Sequence, residues 1–180
     1  MVEAEWVRKA QDGDPEACIR LLREVEAAVY RTAYYLLGNE HDALDATQEA
    51  LLRIYKRLTS YKGHSRFETW AQRIVTNICI DHFRKKKREF PFPEEITPAD
   101  LRAGTAVERA GMMTDLQQAI RRLPPPQRTA VVLRYVQDFS YEEIAEAMDI
   151  PLNTVKSHLF RARKKLKEWL PEYQEGGVAP

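Results

Sequence analysis

The sequence predicts an all-α chain of two small helical domains joined by a flexible linker. Three observations carry this. Apolar residues recur at helical spacing over most of the length, helix caps punctuate those stretches, and β-branched runs are few. With 180 residues and ordinary apolar content, each of two small domains can bury a core. The expected boundaries are a first domain over 1–90, a linker over 91–112, a second domain over 113–172 and a disordered tail over 173–180.

In the first domain, Asp14-Pro15 places a capping residue before proline at the first helical position. The helix then runs through Leu22, Val25, Val29, Ala33 and Leu36 until Gly38 stops it. A second helix sets Leu44, Thr47, Leu51, Ile54 and Leu58 on one face and Asp42, Asp45 and Glu49 on the other. Tyr61-Lys62-Gly63-His64 reads as a loop. Ser65 with Glu68 reads as a capping box opening a long helix, with Phe67, Ala71, Ile74 and Ile78 inward. That helix ends in the unbroken basic run Arg84-Lys85-Lys86-Lys87-Arg88.

Between Glu89 and Gly111 the periodicity breaks at Pro91, Pro93, Pro98 and Gly104, which marks the linker. It resumes near Thr114. Leu116, Ile120 and Leu123 form one helix, Pro124-Pro125-Pro126 separates it, and Thr129 to Gln137 forms another.

The next stretch, Ser140 to Leu166, reads as two short helices across a tight turn. Ser140 and Glu143 make a capping box. Ile144, Ala145 and Met148 give an apolar side, and Ala145 is small enough for a second helix to cross close by. Pro151 disfavours helix in the residue before it, so Asp149-Ile150-Pro151 ends the first helix. Asp149 stands where such a turn often has glycine, and aspartate tolerates the left-handed backbone needed there. Asn153 is the expected N-cap of the second helix, in which Val155, Leu159, Ala162 and Leu166 face inward. From Asn153 to Leu170 there are six Lys or Arg and one Glu. A rod with one apolar stripe and one basic, polar face docks on its own domain and enters a DNA major groove. The expected reading residues are Asn153, Thr154, Lys156, Ser157, Phe160, Arg161 and Lys164.

Net charge is only +1, and its distribution is more informative. Asp138 to Asp149 carries five acids and no base, while the run at Arg84 is wholly basic. Tyr61, Lys62, His64 and Ser65 sit at the mouth of the long helix. Trp70, Arg73 and Asn77 follow off its apolar stripe, and Arg84 and Lys85 close it. Rings stack on unpaired bases, an amide reads their edges and cations hold phosphates, so this set suits a single strand. The plainer alternatives are a core place for Trp70 and a solvated end for the basic run. Together the two faces describe a chain that grips duplex DNA at one place and opens it at another.

No enzyme is expected. The four histidines are scattered, no Gly-rich phosphate loop occurs, and Cys79 with His82 supplies only two of a metal's ligands. No metal, cofactor or small-molecule substrate is therefore implied. Cys18 and Cys79 lie too far apart in sequence to suggest a disulfide scaffold. The charged N-terminus lacks a signal-peptide core, and no apolar run spans a membrane. A cytosolic protein with reduced thiols is expected.

The residues resemble the extracytoplasmic-function sigma factors, the smallest bacterial sigma factors. Asp45-Ala46-Thr47-Gln48-Glu49-Ala50 is similar to the family's region 2.2. Arg66-Phe67-Glu68-Thr69-Trp70, with Ile74 and Asn77, is similar to region 2.3, and Asp81-His82-Phe83-Arg84-Lys85-Lys86 to region 2.4. Leu123-Pro124 through Lys165 resembles region 4. The resemblance implies that Asp45, Gln48, Glu49 and Arg53 contact the β′ clamp helices of core RNA polymerase, with the β flap as a further contact. It implies that the loop from Tyr61 to Ser65 captures a flipped base of the −10 element, with Trp70 and Asn77 near the melted strand. Lys156, Ser157, Phe160 and Arg161 fall where the family reads the −35 element. Leu44 stands where many members carry an acid, and His158 where an arginine is frequent. Promoter DNA and an anti-sigma factor, often membrane-bound, complete the implied partners. The competing readings are a stand-alone helix-turn-helix regulator with an N-terminal dimerisation or sensor domain, and a protein–protein adaptor.

Overall fold

The computed structural model of the chain describes residues 4–89 and 115–170; the expected linker and tail lie outside them. The described residues form eight α-helices and no strand: α1 (Ala4–Gln11), α2 (Pro15–Leu37), α3 (Glu40–Arg57), α4 (Phe67–Glu89), α5 (Asp115–Arg122), α6 (Pro125–Val131), α7 (Tyr141–Met148) and α8 (Leu152–Trp169). A 3-10 turn, Leu58–Ser60, follows α3, and a π turn, Val132–Val136, continues α6. The sequence reading had no separate α1. None of the described helices is long and apolar enough to cross a membrane.

The caps of α2 are as expected. The Asp14 carboxylate accepts the Glu16 and Ala17 N–H groups at 2.9 and 3.2 Å, and Gly38 closes the helix at φ 79°. A Cβ on Gly38 would lie 2.2 Å from Arg121 Nε. Gly38→Ala is therefore expected to cost about 1–2 kcal/mol from the left-handed backbone alone, with displacement of Arg121 in addition. A lowered midpoint in a urea melt checks this.

Three local expectations shift by one or two residues. The buried face of α3 is Ala43, Ala46, Thr47, Ala50 and Ile54; Leu44 is 45 % exposed and Leu51 half-buried. Small alanines let α2 and α4 approach α3, and this turns Leu44, one position round the helix, outward. At α4 the first intrahelical bond runs from the Trp70 N–H to the Arg66 carbonyl at 3.1 Å, so Arg66 is the cap and no Ser65–Glu68 box opens the helix. The Ser65 carbonyl instead accepts the Tyr61 hydroxyl, which holds Ser65 in the preceding loop. At α8 the Pro151 carbonyl accepts the Thr154 and Val155 N–H groups at 2.9 and 3.2 Å. Pro151, extended at φ −60° and ψ 147°, is the cap, and Asn153 already lies inside the helix.

Proline also moves a boundary. Pro125 occupies the first position of α6, where its missing N–H costs nothing, so the helix starts there rather than at Thr129. The capping box of α7 forms as expected: the Ser140 N–H donates to Glu143 Oε2 at 2.9 Å, and the Glu143 N–H to Ser140 Oγ at 3.2 Å. Asp149 takes the left-handed backbone at φ 55° and ψ 49°. The small residue buried completely in α7 is Ala147; Ala145 is half-buried.

The two blocks do not stand apart. One cluster of buried side chains runs from Val7 in α1 to Ala162 in α8, and α4 packs on α2, α3 and α7. Polar bonds cross the seam. Arg128 Nη1 donates to the Leu36 carbonyl at 2.6 Å. Gln137 Nε2 donates to the Ala28 carbonyl and to Thr32 Oγ1, both at 3.0 Å, and Thr32 in turn donates to Gln72 Oε1 at 2.8 Å.

Candidate nucleic-acid interface

The second helix of the helix-turn-helix, α8, buries Val155, Leu159 and Ala162 and half-buries Leu166 at its far end. This fixes which faces remain. Asn153, Lys156, Ser157, Phe160, Arg161 and Lys164 are exposed, and Thr154 is half-buried. Phe160 is 65 % exposed, a large cost in apolar hydration unless a partner covers it. The Ser157 hydroxyl donates to the Asn153 carbonyl at 3.0 Å. His158 lies half-buried with Nδ1 unpartnered; burial, and then the neighbouring Arg161, push its pKa down. A neutral imidazole there adds nothing to phosphate binding.

The second set centres on α4. Trp70, Arg73, Asn77 and Arg84 recur at spacings of three, four and seven and so share one side of the helix. Asn77, Arg84 and Lys85 are exposed, and Arg73 is half-buried. Arg84 Nη1 lies 3.5 Å from Asp81 Oδ1. Trp70 is half-buried in an aromatic cluster: its ring is 5.2 Å from Tyr61 and 5.6 Å from Phe67, with Tyr61 and Phe67 5.5 Å apart. Neither the plain core reading nor a free platform describes it; the ring packs on the core and keeps part of its surface in solvent. Gln11 Nε2 donates to the Leu58 and Tyr61 carbonyls at 2.9 and 2.8 Å, so α1 pins the loop at the helix mouth. Lys62 and His64 project from this loop exposed, and Ser65 is half-buried.

Several contributors were invisible in the sequence. Asp42 lies 3.1 Å from Lys86 Nζ and 3.3 Å from His82 Nε2, which ties the basic end of α4 to α3. Bonding to Asn39, followed by Lys86 and His82, holds the Asp42 carboxyl below its ordinary range despite partial burial. Arg66, quoted only as part of a motif, lies 3.0 Å from Glu143. These partners are separated by 40 to 77 positions, and no local pattern encodes them.

The outer face of α3 forms a third surface. Asp45, Gln48 and Glu49 are exposed, and half-buried Arg53 bonds Glu49 one turn back. Leu44, Leu52 and Tyr55 stand among them at 45, 51 and 57 % exposure. Leu52 and Tyr55 were not anticipated, and acids interleaved with apolar side chains suit a protein partner. Among the described residues no group of three His, Cys, Asp or Glu is placed to hold a metal ion. Burial pushes the Cys79 thiol up to about 12, which leaves it without a reactive thiolate.

Two family models match the chain in order: Sigma-70 region 2 over residues 21–89 and Sigma-70, region 4 over residues 113–166. The first match has no place in a stand-alone regulator. The ECF RNA polymerase sigma factor SigW of Bacillus subtilis (strain 168) is 33 % identical over 176 residues, covering 91 % of this chain and 94 % of SigW. The ECF RNA polymerase sigma-E factor of Escherichia coli (strain K12) is also 33 % identical, covering 89 % of this chain and 90 % of its own. Among solved structures, the sigma factor RpoE of Bartonella quintana, crystallised with the anti-sigma factor NepR, superposes with a TM-score of 0.66. It is 28 % identical over 83 % of this chain and 94 % of its own. CnrH, in complex with the cytosolic domain of CnrY, shares the fold with a TM-score of 0.70 at 21 % identity. With two family regions in order and full-length relatives on both sides of the alignment, the chain belongs to the extracytoplasmic-function family of RNA polymerase sigma factors.

Proposed function

We propose that the chain binds core RNA polymerase and directs promoter-specific initiation through three separate surfaces. The observation that carries this is the pairing of a basic helix, α8, suited to a major groove with an aromatic, amide and cationic stripe on α4 suited to an unstacked strand. Residues 113–172 read the −35 duplex: Lys156 and Lys164 hold phosphates, while Ser157, Phe160 and Arg161 face base edges, with Asn153 and Thr154 at the entry. Residues 1–90 dock on the polymerase and take the melted −10 strand. The loop residues Tyr61, Lys62, His64 and Ser65 and the α4 residues Trp70, Arg73, Asn77, Arg84 and Lys85 form the strand path.

Asp45, Gln48, Glu49 and Arg53 meet the β′ clamp helices, and exposed Leu44, Leu52 and Tyr55 give that contact an apolar centre. The second block meets the β flap. Catalysis then belongs to the polymerase, and the chain needs no cofactor. RpoE of Bartonella quintana is held by an anti-sigma factor, and a partner of that kind holds this chain, in the cytoplasm or at the membrane. Purified core polymerase mixed with the chain is expected to give run-off transcripts from a subset of genomic promoters. If no promoter responds, the function is refuted.

Asn77→Ala is expected to spare binding to −35 duplex and to lower open-complex formation. An amide contact to a base edge is worth about 1–3 kcal/mol, so a loss of roughly 5- to 150-fold is expected. Permanganate reactivity of the melted thymines reads this, and unchanged reactivity removes Asn77 from the strand path.

A further inference from the structure

The loop at the mouth of α4 is held from the far end of the chain. Gln11 Nε2 carries two hydrogens, and the structure uses both, one on the Leu58 carbonyl at 2.9 Å and one on the Tyr61 carbonyl at 2.8 Å. Of the two ends of the amide, only the nitrogen can donate to a carbonyl, so the side chain has one orientation. The Leu58 carbonyl also accepts the Tyr61 N–H at 3.1 Å, and the Tyr61 hydroxyl donates to the Ser65 carbonyl. The loop is therefore fixed at both ends, and Lys62, Gly63 and His64 stand exposed between them.

Helix α1 is built to keep Gln11 in place. Val7 and Ala10 are buried, and the Trp6 ring lies under Arg20 of α2, with the guanidinium carbon 4.1 Å from the ring centre. Gly13, left-handed at φ 92°, ends the helix in a Schellman motif. The Asp14 N–H reaches the Lys9 carbonyl at 3.0 Å, and the Gly13 N–H reaches the Ala10 carbonyl at 3.1 Å. Gln11 is the last residue of α1 and is half-buried, and it bonds carbonyls 47 and 50 positions away. The Tyr61 carbonyl and the Lys62 N–H share one peptide plane and point in opposite directions. Holding the oxygen therefore sets the direction of the N–H on the exposed side of the loop.

We propose that Gln11 is a positioning residue for base selection, which presets the loop from Tyr61 to Ser65 before an unpaired base enters it. The inference rests on the strand path assigned above to Tyr61, Lys62, His64 and Ser65. Gln11 itself meets no nucleotide; it acts through the Tyr61 carbonyl. A loop ordered in advance spends no binding energy on ordering itself. A loose loop adapts to several bases, so discrimination falls more than affinity does.

The substitution Q11M tests this. Methionine keeps the length of the side chain and removes both hydrogens. Core polymerase reconstituted with the parent chain or with Q11M is given a promoter found by run-off transcription. Each base of the melted −10 segment is changed in turn to the other three, and transcript yield is measured. The parent holoenzyme is expected to favour one base at one position of that segment. In Q11M this preference is expected to fall about fivefold, the size of one net hydrogen bond, with preferences across the −35 element unchanged. A chain that folds less well lowers every promoter alike, and that effect cancels in a ratio. A preference in Q11M equal to the parent's overturns the proposal, as does a matching fall at the −35 element. A parent with no preference anywhere in the melted segment would instead remove the loop from base reading, and the role of Gln11 with it.

A second measurement needs no variant. In the free parent chain the Tyr61 amide hydrogen is held on the Leu58 carbonyl, which Gln11 also holds. Its exchange with solvent deuterium, read by NMR, is expected to be slowed as far as that of the Ala10 and Gln11 amides, because the loop opens only when Gln11 lets go. A Tyr61 amide that exchanges as an open loop does, while α1 stays protected, overturns the proposal.

Discussion

Arg128→Ala is expected to lower the melting temperature by roughly 10 °C, from a loss of about 3 kcal/mol. The guanidinium reaches three carbonyls: Leu36 at 2.6 Å, Leu123 at 3.2 Å, and Arg121. Leu36 lies in the last turn of α2, where carbonyls lack intrahelical partners and the helix dipole favours a cation. The guanidinium also lies over the Phe83 ring, 5.2 Å from its centre. Burial, and then Arg121, press the Arg128 pKa down to about 10, yet it stays charged at neutral pH. Alanine would strand buried carbonyls on both blocks at once. Arg128→Lys keeps the charge but not the planar fork and is expected to fall between the two. Thermal unfolding followed by circular dichroism checks the order. A melting temperature within a degree of the parent's would mean that water satisfies those carbonyls as well as the guanidinium does.

Arg161→Ala is expected to lose discrimination at one base pair of the −35 element, by about 1–3 kcal/mol, or roughly 5- to 150-fold. Arg161 is exposed on the open face of α8, and a planar fork there can bond guanine O6 and N7 together. Lys156→Ala should behave differently. A lost phosphate contact weakens all sequences alike and lowers the salt slope by about one. Competition among duplexes with single substitutions across the site, bound by the reconstituted holoenzyme, distinguishes the two. Uniform loss in the Arg161 variant would class it with the phosphate contacts.

What was legible in the sequence was local. Asp14, Gly38, the Ser140–Glu143 box and Asp149 each act within four residues, and each is where the sequence put it. Where two residues one or two positions apart competed for one role, tertiary geometry decided. Pro151 displaced Asn153 as a cap, Arg66 displaced Ser65, and Ala43 took the core position that Leu44 had by hydropathy. The polar face of α8 was legible because its apolar stripe leaves no other choice. The packing of one block on the other was not. It rests on Arg128 with Leu36, Gln137 with Ala28 and Glu143 with Thr69, pairs 74 to 109 positions apart. Hydrophobic periodicity says that a face is buried and does not say against what.

The π turn after α6 has its own consequence. The Gln137 N–H reaches back five residues to the Val132 carbonyl at 3.2 Å, so Val132–Val136 holds one residue more than an α-helix of that rise. One residue is about 100° of helical rotation. The extra residue works like a tooth added to a gear: it sets the phase at which everything after it engages. Gln137 meets Ala28 and Thr32 at this phase. Delete a single residue there, and the sequence of the helix-turn-helix is untouched while its angular address on the first block is lost.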